Sequence, residues 1–326
     1  MGRKLKVQIV KDAIRRFHHL PARTIARHIL ATHGDLYDND LEVIRSKIRY
    51  QIGKNGEASR KTLADKSLFR TGPVKLPQSW SKKRQPYHLP VGLGLVLSDL
   101  HIPFHEEKPL EQAVRYGQAE SVDWVLLNGD VWDAAAIGYW ATAHRDFNAE
   151  LEDIIDTLDW LRQEFPKQKI IYKPGNHEYR LPAYMMNHAP ELAESPLAQV
   201  ETVLGFEERE IEFLDFYQVV MAGKLPILHG HEIKHITTAV NPARGLFLKA
   251  KSYSAISHCH QTSEHSTRNI RGELMTCWSF ACLCNLSPDW NPFCNDWNWG
   301  FAVINVEKDG DFEVVNRRIL PNGDVR

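Results

Sequence analysis

Apolar residues follow two different patterns along the chain. In the first fifty residues they recur at helical spacing. Val7, Ile9, Val10, Ala13, Ile14 and Phe17 share one side of a helix, and Ile25, Ala26, Ile29 and Leu30 repeat the pattern after Pro21, whose fixed φ suits a helix start. A polar stretch containing Gly34, Asp35, Asp38 and Asn39 follows. Asp40 is then a suitable N-cap for a third helix over 41–51, which Gly53 ends. From residue 91 the apolar positions come in short continuous runs instead: 93–97, 124–127, 169–172, 225–228 and the pair Ala255, Ile256. Such runs predict strands buried on both faces. Helical periodicity returns between the first three, near 107–120 and 149–165, so this region reads as α/β. Toward the C-terminus, 301–306 and 312–319 alternate around Asp309-Gly310, a hairpin signal expected to close a second sheet. The preceding loop, 287–301, crowds Trp290, Phe293, Trp297 and Trp299 together, either as a rigid cap or as a platform for stacking bases.

Charge sharpens the division. The chain of 326 residues has a net charge of −1, yet residues 1–88 hold 20 Lys and Arg against 7 Asp and Glu, a net of +13, which leaves 20 against 34, a net of −14, for the rest. Opposite electrostatics imply a basic helical domain over 1–70, an irregular basic linker over 71–88 and a larger domain over 89–326. Three short helices ending in a cationic one resemble a helix-turn-helix module. On that reading Arg45, Lys47, Arg49 and Lys54 grip nucleic acid; a solvated basic extension or a docking domain is the plainer alternative. Five cysteines, all in the last quarter, predict no disulfide framework, and Cys282 and Cys284 read as buried structural thiols. No apolar stretch approaches the ~20 residues of a membrane span and no apolar segment follows the basic start, so the expectation is a cytoplasmic protein without membrane association.

The chemistry lies where the buried runs end. Ser98-Asp99-Leu100-His101 follows the first, Asn128-Gly129-Asp130-Val131-Trp132-Asp133 the second and Pro174-Gly175-Asn176-His177-Glu178 the third. His229-Gly230-His231 and Ser257-His258-Cys259-His260 follow the last two. Open α/β sheets place their sites at such strand ends. Carboxylate, imidazole and amide oxygen together suit Mn, Fe or Zn, with Ni also admissible, and suit Ca poorly. In an extended strand end, Asp99 and His101 would share a face, as would His258 and His260 with Cys259 turned away. Either His229 or His231 could close the fourth run as a ligand; the residue directly ending the strand is preferred.

Asp-x-His, Gly-Asp-x-x-Asp, Gly-Asn-His-Glu, His and His-x-His, in that order and each after an apolar strand, resemble the five signature blocks of the calcineurin-like metallophosphoesterase superfamily over about residues 92–262. Ser257 departs from the Gly usual in the last block. The resemblance implies a two-sheet sandwich flanked by helices and two divalent ions, one held by Asp99, His101, Asp130 and His260, the other by Asp130, Asn176, His229 and His258. It further implies phosphoester hydrolysis by a hydroxide shared between the ions, with His177 as general acid and Asp133 orienting it. Arg180, His105 and Trp297 are candidate substrate contacts, Arg180 being equally readable as half of a structural salt bridge. With the basic domain, the combined reading is cleavage of phosphodiester bonds in DNA or RNA. A phosphomonoesterase or nucleotide phosphodiesterase tethered to DNA, and a catalytically idle DNA-binding regulator, are the alternatives.

Overall fold

The computed structural model describes residues 2–53, 76–139, 146–237, 239–288, 291 and 295–326. The chain forms two compact units, Met1–Ser81 and Lys82–Arg326. Lys54, Trp290, Phe293 and the start of the expected linker, 71–75, lie outside the described residues.

In the first unit the three expected helices form: α1 (Gly2–Arg16), α2 (Ala22–His33) and α3 (Leu41–Ile52). Asp40 caps α3 by accepting from Glu42 N at 2.8 Å and Val43 N at 3.2 Å. The apolar stripe closes on itself, with Val10, Ile25, Ala26, Ile29, Ile44 and Ile48 buried together. Tyr37, from the polar connection, completes this core, and its hydroxyl donates to Lys6 O. The connection from α2 to α3, residues 34–40, contains a 3₁₀ turn and is longer than a compact helix-turn-helix turn.

The second unit is built on two six-stranded sheets. In the first, β2 (Gly92–Leu97), β3 (Trp124–Asn128), β4 (Lys169–Lys173) and β5 (Ile211–Phe213) run parallel. Helices α4 (Glu107–Ala119) and α5 (Phe147–Glu164) make the crossovers expected between the first three strands. The second sheet contains β7 (Leu225–Ile227) and β8 (Ser254–Ile256), paired in parallel, with β10 (Leu274–Ser279) parallel to β8. Tyr87–His88, at the end of the expected linker, forms β1 and runs parallel to β6 (Val220–Ala222), and β9 (Ser263–Arg268) lies antiparallel to β10 at the other edge. One apolar cluster, including Val96, Trp124, Leu126, Ile171, Ile227, Ala255 and Ile304, fills the space between the sheets; another, including Leu95, Val125, Leu127, Ile154 and Leu158, packs helices onto the first.

The C-terminal hairpin forms but joins the first sheet. β11 (Gly300–Val306) lies antiparallel to β2, with Ala302 opposite Val96, and β12 (Phe312–Arg318) is outermost. The physical reason is burial: nearly every residue of β11 is covered on both faces, as suits an interior strand, and β2 would otherwise be an edge. No helix among the described residues is long and apolar enough to cross a membrane.

Candidate metal centre

Five loops, following β2, β3, β4, β7 and β8, converge at one end of the sandwich. They bring together six of the seven residues expected as ligands, Asp99, His101, Asp130, His229, His258 and His260, and carry the seventh, Asn176, next to His177, whose N donates to Asp130 Oδ1 at 2.9 Å. Asp99 Oδ1 lies 3.1 Å from His260 Nε2, and His101 Nε2 lies 3.2 Å from the same nitrogen. Asp130 Oδ2 stands 3.1 Å from His229 Nε2 and 3.9 Å from His258 Nδ1.

The loops are not extended, so the alternate-face argument fails for Asp99/His101 and His258/His260. Asp99, His101, Asp130, His258 and His260 all take left-handed φ values of 51–63°. Side chains converge through these turns, each costing roughly 1–2 kcal/mol for an L-residue and persisting only where surrounding structure fixes it. Two glycines permit the close packing this demands. A Cβ on Gly129 would stand 2.3 Å from the His229 ring, and one on Gly175 would stand 2.2 Å from Asp130 Oδ1. Cys259 does turn away, into a small apolar cluster with Ile256 and Cys277.

The ring orientations leave the right nitrogens facing inward. His229 Nδ1 donates to Asn128 O at 2.8 Å, freeing Nε2, and His101 Nδ1 donates to Asp133 Oδ2 at 2.8 Å with the same result. Asn128 Nδ2 donates to Leu228 O at 3.0 Å and to Ser257 Oγ at 2.8 Å, so the serine in the usual glycine position braces the His258 loop. Asn176 Oδ1 is buried without a hydrogen-bond partner, while Asp99 Oδ1 and His229 Nε2 face only other members of the cluster, His260 Nε2 and Asp130 Oδ2, each at 3.1 Å. Buried polar atoms are rarely left unpartnered. Together with two imidazole nitrogens facing each other, this donor set fits divalent cations. Burial opposes charge on His229 and His260, but Asp130 raises the first to about 10 and Asp99 the second to about 9. Protons therefore occupy these nitrogens when ions do not.

His177 reaches the edge of the cluster, with Nε2 3.8 Å from Asp130 Oδ2. Its Nδ1 donates to Asp133, 3.1 Å from the backbone oxygen and 3.2 Å from Oδ2. Burial disfavours the imidazolium, but Asp130 and Asp133 outweigh it and raise His177 above its ordinary value. Asp133 serves His101 as well as His177. Despite burial, these two rings hold its carboxyl well below the usual range. Arg180 is committed to the same carboxylate, donating to Asp133 Oδ1 at 2.8 Å and to its backbone oxygen at 2.7 Å, with Nη2 3.2 Å from His177 Nε2. The salt-bridge reading of Arg180 therefore holds in this structure.

Other expected residues divide. Trp297 packs against His260 with ring centroids 4.1 Å apart. His105 instead lines a cleft of about 300 Å³ between α4 and α5, with Glu107, Leu110, Asp153 and Trp160 and none of the ligand residues. His231 is half-buried outside the cluster, 5.4 Å from the His229 ring, and burial pushes it down to about 4. On α3, Lys47 and Arg49 are exposed, whereas Arg45 pairs with Glu42 at 2.9 Å.

Two residues were not legible as part of the site. Glu178 is completely buried and accepts from Asp130 N, Val131 N, Trp132 N, Gly175 N and the Tyr172 hydroxyl at 2.7–3.1 Å, tying the β3 and β4 loops together. Its adjacency to Asn176-His177 was the available signal. Cys284, read as a structural thiol, is buried but places its Sγ 3.8 Å from His260 Nδ1; no spacing in the chain announces that contact.

The family model for calcineurin-like phosphoesterases matches residues 95–274. The Gene 54 protein of Mycobacterium phage L5 is 24% identical over 227 residues, which is 65% of this chain and 88% of that protein. Among solved structures, a Vps29 variant from Entamoeba histolytica is similar over 72% of this chain and 96% of its own, at 12% identity and a TM-score of 0.38. A dimetal phosphatase from Danio rerio is similar over 70% and 96% respectively, at 11% identity and a TM-score of 0.36.

Proposed function

Because the chain belongs to the calcineurin-like phosphoesterase family, whose members hydrolyse phosphate esters with bound metal, we propose that this protein cleaves phosphodiester bonds in nucleic acid. One ion would be held by Asp99, His101, Asp130 and His260, the other by Asp130, Asn176, His229 and His258, with manganese the best match to the mixed donors. When bound, the ions supply an activated water at neutral pH and neutralise charge on the phosphate. The chain's own residues do the rest. Asp133 fixes His177 through Nδ1; Nε2, 3.8 Å from Asp130 Oδ2, accepts from Arg180 Nη2 at 3.2 Å and would exchange that contact for a proton, favoured by the ring's raised proton affinity, to protonate the departing oxygen. Arg180 holds Asp133 from the other side, so the pair cannot drift.

The observation that carries this reading is the convergence of carboxylate and imidazole donors at one end of the sandwich, together with the buried, unpartnered Oδ1 of Asn176. The choice of nucleic acid is supported by the first unit, where Arg23, Arg27, Lys47 and Arg49 are exposed on a small helical body. The four cysteines among the described residues are buried and free, which suits a reducing, cytoplasmic setting. The test is cleavage of labelled single- and double-stranded DNA and RNA with Mn²⁺ at low salt, using intact protein, Asp130→Asn and His177→Ala. Cleavage lost in both variants supports the proposal. Turnover of phosphomonoesters with all polynucleotides left intact would refute it.

A further inference from the structure

A second group of side chains adjoins the ligand cluster and has no part in the chemistry above. The His231 ring lies 6.4 Å from His258 and 6.4 Å from Tyr217. Tyr217 lies 6.5 Å from Tyr179, which packs edge-on against Phe216 at 5.3 Å. These rings form a row beside the ligands, with His231 next to His258 at one end and Tyr179, two residues after His177, at the other. Tyr217 is 49% exposed and Tyr179 37%, unusual for rings that sit so near a buried site.

Cations flank this row. The Arg84 guanidinium lies 5.1 Å over the Tyr217 ring, anchored by an ion pair with Asp215. Lys82 is close enough to act on the same carboxylate, and it is exposed. The two cations share one carboxylate, so this edge of the row keeps a net positive charge. Hydrolysis of a small phosphate ester uses none of this surface. A strand of unpaired nucleotides uses both parts, since every base has a face that stacks on an aromatic ring and every phosphate needs a cation. A protein partner would explain the exposed rings but not their place beside the ligand cluster and a Lys-Arg segment.

We infer that the surface from His231 through Tyr217 to Tyr179, with Lys82 and Arg84 beside it, is a stacking track that holds single-stranded nucleic acid and leads it to the metal centre. This deepens the proposed function and rests on it. Duplex, whose bases are already stacked on one another, is held less well by the same surface.

The test photo-crosslinks the full-length protein, in chelator, to an oligonucleotide carrying 5-iododeoxyuridine, with crosslinks mapped by mass spectrometry and affinity measured by fluorescence anisotropy. Crosslinks are expected at Tyr217 and Tyr179. Tyr217→Ala should weaken single-strand binding roughly tenfold and Tyr217→Phe less than about twofold, because the ring, not the hydroxyl, supplies the stacking. Both variants should hydrolyse bis(p-nitrophenyl) phosphate as the wild type does, which shows that they are folded. Crosslinks confined to other residues, or unchanged binding by Tyr217→Ala, would overturn the track and leave its exposed rings to a protein partner. Cleavage of DNA without tyrosine crosslinks would reject the track and keep the nuclease. Tyrosine crosslinks in an enzyme that turns over only monoesters would keep the track and reject the nuclease.

Discussion

Replacing Glu178 by glutamine tests whether one buried carboxylate organises the site. Oε1 accepts from Val131 N at 2.8 Å, Trp132 N at 3.1 Å and the Tyr172 hydroxyl at 2.7 Å, while Oε2 accepts from Asp130 N at 3.1 Å and Gly175 N at 2.7 Å. Glutamine keeps one oxygen and turns the other into a donor. In its better orientation the amide nitrogen faces the Asp130 and Gly175 N–H groups, leaving two buried donors unpaired. At ~1–3 kcal/mol each, the loss is about 2–6 kcal/mol, a large part of a typical folding free energy. For a domain of this size that lowers the melting temperature on the order of 10 °C. Because Asp130 and Asn176 ride on the loops that lose their tie, Mn²⁺ affinity should fall as well. Thermal unfolding by circular dichroism and calorimetric Mn²⁺ titration read the two effects. A variant with wild-type melting temperature and Mn²⁺ affinity would show that Glu178 is neutral in the folded protein, and would refute its role as an anionic hub.

Three further outcomes are expected. Glu150 is buried beside Asp133, with Oε1 accepting from Ala136 N at 3.0 Å and Oε2 unpartnered, and burial followed by Asp133 raises it from 4.5 to about 7. A carboxyl raised on folding binds its proton more tightly in the native state, so its contribution is whole below pH 4.5 and is lost as pH climbs toward 7. At ~1.4 kcal/mol per pH unit the loss is about 3 kcal/mol, and Glu150→Gln should remove it; a difference in stability between variant and wild type that stays constant from pH 4.5 to 8 contradicts this. Since His229 and His260 sit at about 10 and 9 without ions, metal uptake at pH 7 should release protons and tighten as pH rises, measurable by calorimetry in buffers of different ionisation enthalpy. His177→Ala should cut turnover by ~10²–10⁴ for an alkyl leaving group and far less for p-nitrophenolate, which leaves without protonation; equal losses on both would remove His177 from the proton-transfer role.

The parts legible in the sequence were those written in local periodicity. Buried runs such as 93–97 and 124–127 announced parallel strands, and the polar residues ending them announced the cluster, because strand ends are where an α/β sheet exposes side chains. Asp40 and Gly53 likewise marked the ends of α3. What escaped was set by tertiary packing. The alternation in 301–306 fits an edge or an interior strand equally, and only the neighbouring strand β2 decides for the first sheet. The route by which Asp99 and His101 converge depends on left-handed backbone that aspartate and histidine do not advertise. Cys284 gained its neighbour His260 from a distant loop, and Arg180 its carboxylate partner from across the β3–β4 junction.

The ligands are drawn from both halves of the sandwich. Asp99, His101, Asp130 and Asn176 follow strands of one sheet, and His229, His258 and His260 follow strands of the other. Any ion seated among them is therefore a fastener across the seam as much as a reagent. Withdrawing it removes a cross-link and leaves the sheets joined there by apolar contact and by hydrogen bonds such as those of Asn128 to Leu228, Ser257 and His229, of His258 N to Asp99 and of Lys173 to Glu232. Under a pulling force applied across the seam, the ion-loaded protein should yield at this end last and the stripped protein first. Metal supply would then govern the mechanical lifetime of the fold together with its turnover.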